Sequence, residues 1–339
     1  MSYSTTSATE RFDRLVGQET AHQLLLKAIE CDRIPPAYWF SGIHGIGRRV
    51  AAQAFVETLF SRNLAASSPA RKSLSHRLQQ GNHPDLLWIE PTYQHQGKLY
   101  TISQAQQAGL QRRTPPQIRI EQIREIAQFV SNPPLEASRL VVVIENAETM
   151  AEAAGNALLK TLEEPQHATL ILIAPPDSLM PTLVSRCAQI PFYRLDPEKL
   201  QQVLASVGYG NILEDKAIAA MAEGSPGNAI AAWQQKQQIS PELLSQATQI
   251  LTGETTSLWQ VLDLARTIDR KLDPQAQSWL AEYLLSYYWQ HLGTTPQFSL
   301  VSLQYIEQAR HYLLKYVQPR LVWEVTLMAI AGYRPGLPK

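Results

Sequence analysis

The 339-residue sequence predicts an α/β fold built on a largely parallel sheet, followed by an all-helical C-terminal part. Over the first 195 residues, short apolar runs alternate with helical patterns, the order expected of parallel strands joined by crossover helices. The run RLVVVIE (139–145) is a near-continuous β-branched stretch, as a strand buried on both faces requires. From about residue 238 onward, the chain reads as helical throughout.

Taken in order, AYWFSG (37–42) reads as a strand that feeds a glycine-rich turn, and RRVAAQAFVETLF (48–60) as the helix after it. PDLLWIEP (84–91) is a second strand. IRIEQIREIAQFV (118–130) spaces Ile120, Ile123, Ala127 and Val130 on one helical face. The helix EAAGNALLKTLEE (152–164) stops before Pro165, and ATLILIA (168–174) is another buried strand. Between Ser61 and Arg119 the pattern weakens apart from the second strand, and basic residues outnumber acids. A charge-rich stretch of this kind is expected to be a solvated insertion, with a partner or DNA contact as the alternative.

Residues 196–237 read as a small helical unit. In DPQAQSWLAEYLLSYYWQHLG, Asp273 is placed to cap a helix, with Pro274 at its first position and Gly293 just past its end. LVWEVTLM sets Leu321, Val325 and Met328 on one face. Trp259, Trp279, Trp289 and Trp323 fall in this part, where aromatics at helical spacing point to a core or a subunit interface.

Lys plus Arg equals Asp plus Glu at 30 each, which argues against a self-sufficient nucleic-acid binder. Cys31 and Cys187 are far apart and form neither a disulfide framework nor a metal cluster. The polar N-terminus lacks a signal-peptide core, and no apolar run approaches the roughly 20 residues needed to span a membrane, so the cytoplasm is the expected location.

The chemistry should lie in GIHGIGRR (42–49). A phosphate-binding loop reads Gly-x-x-x-x-Gly-Lys-Ser/Thr between a strand and a helix, where backbone N–H groups and the helix dipole meet a phosphate. Gly42 and Gly47 are in place, with Gly45 between them, but Arg48 and Arg49 replace the lysine and the hydroxyl. Arg48 could still reach a phosphate, whereas Arg49 removes an oxygen ligand and sets a cation near the Mg²⁺ position. The second element agrees. A strand ending in Asp-Glu would position Mg²⁺ and activate water; here Glu145 and Asn146 stand in those places, and Asn146 cannot act as a base. The expectation is a loop that keeps its shape and loses hydrolysis.

In one chain, RFDRLVGQE, AYWFSGIHGIGRR, GNHPDLLWIEP, VVVIENAETM, NALLKTLEEP and LMPTLVSRC closely resemble the delta-prime family of the bacterial DNA polymerase III clamp loader, within the AAA+ superfamily. The resemblance is specific over 11–195, extends through EGSPGNAI, and beyond that rests on helical content. It implies a RecA-like AAA+ domain (1–195), a helical lid (196–237) and a helical collar (238–339) that holds a pentamer. It further implies gamma/tau motor subunits and a delta subunit as partners, with the sliding clamp and primed DNA reached through the complex. Polymerase activity would reside in other subunits of the holoenzyme.

By the same resemblance, Ser185, Arg186 and Cys187 match a Ser-Arg-Cys motif in which Arg186 acts as an arginine finger toward ATP on a neighbouring motor subunit. Ser185 and Cys187 would be structural, Cys187 as a small packing residue. Two further positions differ from the motors: Pro175-Pro176 after the ATLILIA strand, and Gly227 where a phosphate-sensing arginine would stand. A zinc module common in relatives is not expected, because the interval holding His76 and His83 contains no cysteine. No cofactor is expected, ATP being bound by partner subunits. The role implied is a non-catalytic stator; the alternatives are an active motor subunit of the same complex and, less in keeping with the motifs, a small-molecule kinase.

Overall fold

The computed structural model describes residues 12, 15–62, 64, 68–110, 114–251, 257–291, 300–315 and 317–333. They fall in two compact units, Met1–Lys199 and Leu200–Lys339.

The first unit contains helix α1 (Glu19–Glu30) and strand β1 (Ala37–Ser41), then α2 (Arg48–Phe60) and α3 (Pro69–Gln79). Strand β2 (Leu86–Ile89) is followed by a hairpin of β3 (Thr92–His95) and β4 (Lys98–Thr101), and by α4 (Ile102–Gln107) and α5 (Ile120–Val130). Then come β5 (Leu140–Ile144), α6 (Glu152–Glu163), β6 (Ala168–Ala174), the short α7 (Pro181–Val184) and β7 (Ala188–Pro191). The main sheet has the order β2-β5-β6-β1-β7, with every pairing parallel. All of β5 and β6 is buried, which explains their unbroken apolar sequences. Alternation along β1 sends Trp39 into one core with Val142, Ile144, Leu170 and Leu172. Tyr38 turns the other way, edge-on to Phe55 of α2 at 5.4 Å, so helices cover both faces.

Two details depart from expectation. The packed stripe of α5 is Ile123, Ile126 and Val130, and Ala127 is exposed. Gln122 takes a buried place on that side because its amide is fully used: Nε2 donates to Glu90 O at 2.9 Å, and Oε1 accepts from Arg119 N at 3.0 Å. The 61–119 stretch contains regular elements. Ser68 caps α3, its Oγ accepting from Arg71 N at 3.3 Å, and Thr101 with Gln104 forms a capping box on α4. Only Leu74 of α3 and Ala105 of α4 are buried, so neither helix writes an apolar period into the sequence.

Asp85 ties the connection between α5 and β5 to the sheet edge. It is completely buried, and its carboxylate accepts from the backbone N–H groups of Leu135 (2.7 Å), Glu136 (2.7 Å) and Ala137 (2.6 Å). Arg77 closes on Glu136 from outside with two bonds of 2.9 and 2.7 Å.

The second unit is helical: α8 (Pro197–Ser206, whose first turn lies before the boundary), α9 (Lys216–Ala222), α10 (Pro226–Gln238), α11 (Pro241–Leu251), α12 (Leu258–Lys271), α13 (Pro274–His291), α14 (Leu300–Leu314) and α15 (Pro319–Ile330). One core includes Ala217, Ile218 and Ala232 with Leu243, Leu264, Leu280, Tyr288 and Trp323, so residues on both sides of 237/238 share it. Asp273 caps α13 as expected, accepting from Ala276 N at 2.7 Å; Gly293 lies outside the described residues. On α15 the core side lies beside the face that carries Leu321, Val325 and Met328, and of these three only Met328 packs against the core. Leu321 and Val325 are exposed, while Val322, Trp323, Thr326 and Leu327 are buried. Both stripes have helical spacing, and Trp323 decides between them. It is fully buried, and its Nε1 donates to Gln277 Oε1 at 2.9 Å. Trp259 and Trp289 are exposed on this unit.

Candidate functional site

The glycine loop sits at the C-terminal end of β1, where its backbone geometry makes glycine necessary. A Cβ on Gly42 would stand 2.8 Å from Phe192 Cβ and 2.9 Å from its carbonyl oxygen. Gly47 caps α2 in the left-handed region at φ +103°. Both requirements come from the scaffold itself.

Arg48 opens α2 and is almost wholly buried, 4% exposed. Its Nη2 lies 3.4 Å from His44 Nδ1, and His44 Nε2 lies 3.4 Å from Glu148 Oε1. Burial draws the guanidinium down to about 10, against the pull of Glu148 and Glu145. Its buried Nη1 has no hydrogen-bond partner among the described residues.

Arg49 points the other way, toward the ends of β2 and β5. Its Nη1 lies 2.9 Å from Glu90 Oε1 and pairs with Glu145 Oε2, and the guanidinium rests 5.0 Å from the Trp88 ring centroid. Trp88 Nε1 donates to the same Glu145 oxygen at 3.0 Å. The Glu145 carboxylate is therefore already paired with a cation of the chain itself. Trp88 and Glu90 did not stand out in the sequence. The parallel register that sets Trp88 beside Val143 and Ile89 beside Ile144 also brings Glu90 and Glu145 out at the same end of the sheet, so pairing the two strand ends would have found them. Asn146 adopts a left-handed turn at φ 50°, ψ 51°, a conformation Asn tolerates well, and its carbonyl accepts from Thr149 N (2.9 Å) and Thr149 Oγ1 (2.8 Å).

The Ser-Arg-Cys segment follows α7, well apart in sequence from the loop. Leu183 is buried and fixes the short helix, and Ser185 Oγ donates to Thr182 O at 3.1 Å. Arg186 is exposed. Its Nη1 donates to Thr182 O at 3.0 Å and its Nη2 to Glu163 Oε1 at 2.6 Å, so the guanidinium is held at the surface by α6. Cys187 packs against the sheet core, and burial pushes its thiol up to about 11. Alkylation at neutral pH should therefore label exposed Cys31 much faster than Cys187; equal rates in peptide mapping would contradict this packing.

Pro175 and Pro176 follow the end of β6, and Gly227 lies in the first turn of α10, which is capped by Ser225. His83 is buried against Phe60 at 4.7 Å, and its Nδ1 accepts from Asp85 N at 3.1 Å, a structural use of the ring. His76 lies on α3, its Nε2 3.3 Å from Gln80 Nε2. Among the described residues, no group of three or more His, Cys, Asp or Glu side chains could hold a metal ion.

A five-stranded parallel sheet in this order, with a glycine loop after β1 and an acid after β5, has the RecA-like fold of AAA+ proteins. The family model described as "DNA polymerase III, delta subunit" matches residues 17–196, and that described as "Cyanobacterial DNA polymerase III delta prime, C-terminal domain" matches 198–330. The chain belongs to the delta-prime family of DNA polymerase III subunits.

It is 30% identical over 189 residues to DNA polymerase III subunit delta' of Bacillus subtilis, covering 55% of this chain and 51% of that one. To subunit delta' of Pseudomonas aeruginosa it is 34% identical over 156 residues, 45% of this chain and 42% of the relative. Subunit tau of Bacillus subtilis is 25% identical over 290 residues, 81% of this chain and 46% of the relative. The chain thus spans about half the length of these relatives. A crystal structure of a DNA polymerase III gamma subunit-related protein from Thermotoga maritima shares the fold with a TM-score of 0.50 at 17% identity, over 93% of this chain and 99% of that chain. Among the described residues no helix is long and apolar enough to cross a membrane.

Proposed function

We propose that this chain is a non-catalytic subunit of a clamp loader, a stator that completes a neighbour's ATP site with Arg186 and has no working ATP site of its own. The observation that carries the reading is Arg49 seated on Glu145 and Glu90. A divalent cation brought to Glu145 would have to displace a tethered guanidinium that is also stacked on Trp88. Asn146 carries an amide where a general base would be needed, and an amide cannot take up the proton of an attacking water.

The partners in this reading are gamma/tau motor subunits and a delta subunit, with the sliding clamp and primed DNA engaged through the assembled complex in the cytoplasm. Residues 196–237 would act as the lid and 238–339 as the collar. No zinc or other cofactor is required. The extended match to tau favours the motor reading, and the self-paired Arg49 speaks against it.

Calorimetric titration of the isolated chain with ATP, with and without Mg²⁺, tests the proposal. No detectable binding is expected in either condition. Saturable, Mg²⁺-dependent binding would overturn it in favour of the motor subunit.

A further inference from the structure

The hairpin that follows β2 has no part in the site described above. Its base is clasped. Thr92 and Gln117 exchange two backbone hydrogen bonds of 2.9 and 3.1 Å, and Gln122 ties both ends down through Glu90 O and Arg119 N. Above the clasp, Tyr93 pairs with Tyr100 and His95 with Lys98 across the antiparallel strands. Opposed residues and those two apart share a face, so these four side chains form one surface. Lys98 is exposed, and Tyr93, His95 and Tyr100 are half-buried.

The sequence around the hairpin is richer in cations than in acids although the chain is neutral as a whole, with Arg62 and Arg77 paired to Asp32 and Glu136 outside the stretch. From Ser61 to Arg119 there are eight Lys or Arg residues and two acids, Asp85 and Glu90. Asp85 is spent on three backbone N–H groups and Glu90 on Arg49, and from Pro91 to Arg119 the sequence has no acid at all. Aromatic rings beside Lys98, for which no ion pair is found among the described residues, suit a ligand that offers flat bases and phosphates together. An acidic protein surface would use the cation and leave the rings without a matching partner.

We propose that the β3–β4 face binds single-stranded nucleic acid, with Tyr93 and Tyr100 stacking on bases and Lys98 meeting a phosphate. The stator reading above supplies the reason such a chain would meet unpaired DNA, but the test does not depend on assembly.

The full-length chain alone is titrated into a fluorescein-labelled oligothymidylate of about 20 nucleotides, long enough for several stacked bases. Saturable binding is expected. Tyr93→Ala with Tyr100→Ala should weaken it about tenfold or more, and Lys98→Glu should weaken it and lower the salt slope by about 1. Thermal melts of each variant should match the parent, since the four side chains lie outside the core. No binding by the parent chain, or unchanged affinity in folded variants, overturns the proposal. So does equal affinity for a duplex of the same length, or equally effective competition by polyglutamate. Co-elution of the same variants with gamma/tau is scored separately: its failure with DNA binding intact would remove the stator reading and leave this one standing.

Discussion

Asp85→Ala is expected to lower the unfolding free energy by about 3–5 kcal/mol, the cost of stripping a buried, fully used carboxylate from its donors. Three backbone N–H groups, those of Leu135, Glu136 and Ala137, would lose their common acceptor at once. Water can replace it only by opening the edge of the sheet beside β2. Urea denaturation followed by far-UV circular dichroism measures the loss, and a thermal midpoint lower by roughly 10 °C should accompany it. Asp85→Asn should recover less than half, because one acceptor oxygen remains and the new amide NH₂ faces donors. A change below about 1 kcal/mol in the alanine variant would mean that the staple is redundant with the Arg77–Glu136 pair outside it.

Arg186→Ala should leave incorporation into the complex intact and reduce its DNA-stimulated ATP turnover. An arginine finger supplied in trans contributes about 10³-fold or more at the site it serves. Total turnover should therefore fall by nearly the whole share of that one site. Arg186→Lys should not restore it, because a compact ammonium lacks the planar fork. Glu163 gives a second handle. It holds Arg186 at 2.6 Å within the chain, so on the proposed reading the guanidinium would have to leave or share this carboxylate to reach a neighbour's phosphate. Glu163→Gln weakens that hold and should preserve or raise turnover, whereas a finger that needs Glu163 for its orientation would lose activity in both variants. Unchanged turnover in Arg186→Ala would sink the finger assignment.

The parts of this molecule that could be read from sequence are those where burial dictates residue type over a whole element. ATLILIA and the 48–60 helix coincide with the observed β6 and α2, because both are packed on nearly every side. The 61–119 stretch was opaque because its elements lean on turn chemistry and capping with few buried side chains. Which side of α15 is buried is not legible from its period, because two adjacent stripes satisfy it and only the tertiary fit of Trp323 selects one. At the loop, the sequence showed which ligands were missing. That Arg49 would settle on Glu145 required the strand ends of β2 and β5 to be brought together, which is long-range information.

The Arg49–Glu145 contact has a thermodynamic corollary. A protein whose cleft is filled from solution gains stability with the logarithm of ligand concentration, and its shape follows the supply of that ligand. Here the counter-ion is covalently part of the chain, so its effective concentration never changes. Heating in the presence and absence of Mg²⁺-ATP should give superimposable melting curves. In an assembly whose other members respond to nucleotide, such a chain would be the fixed reference against which they move.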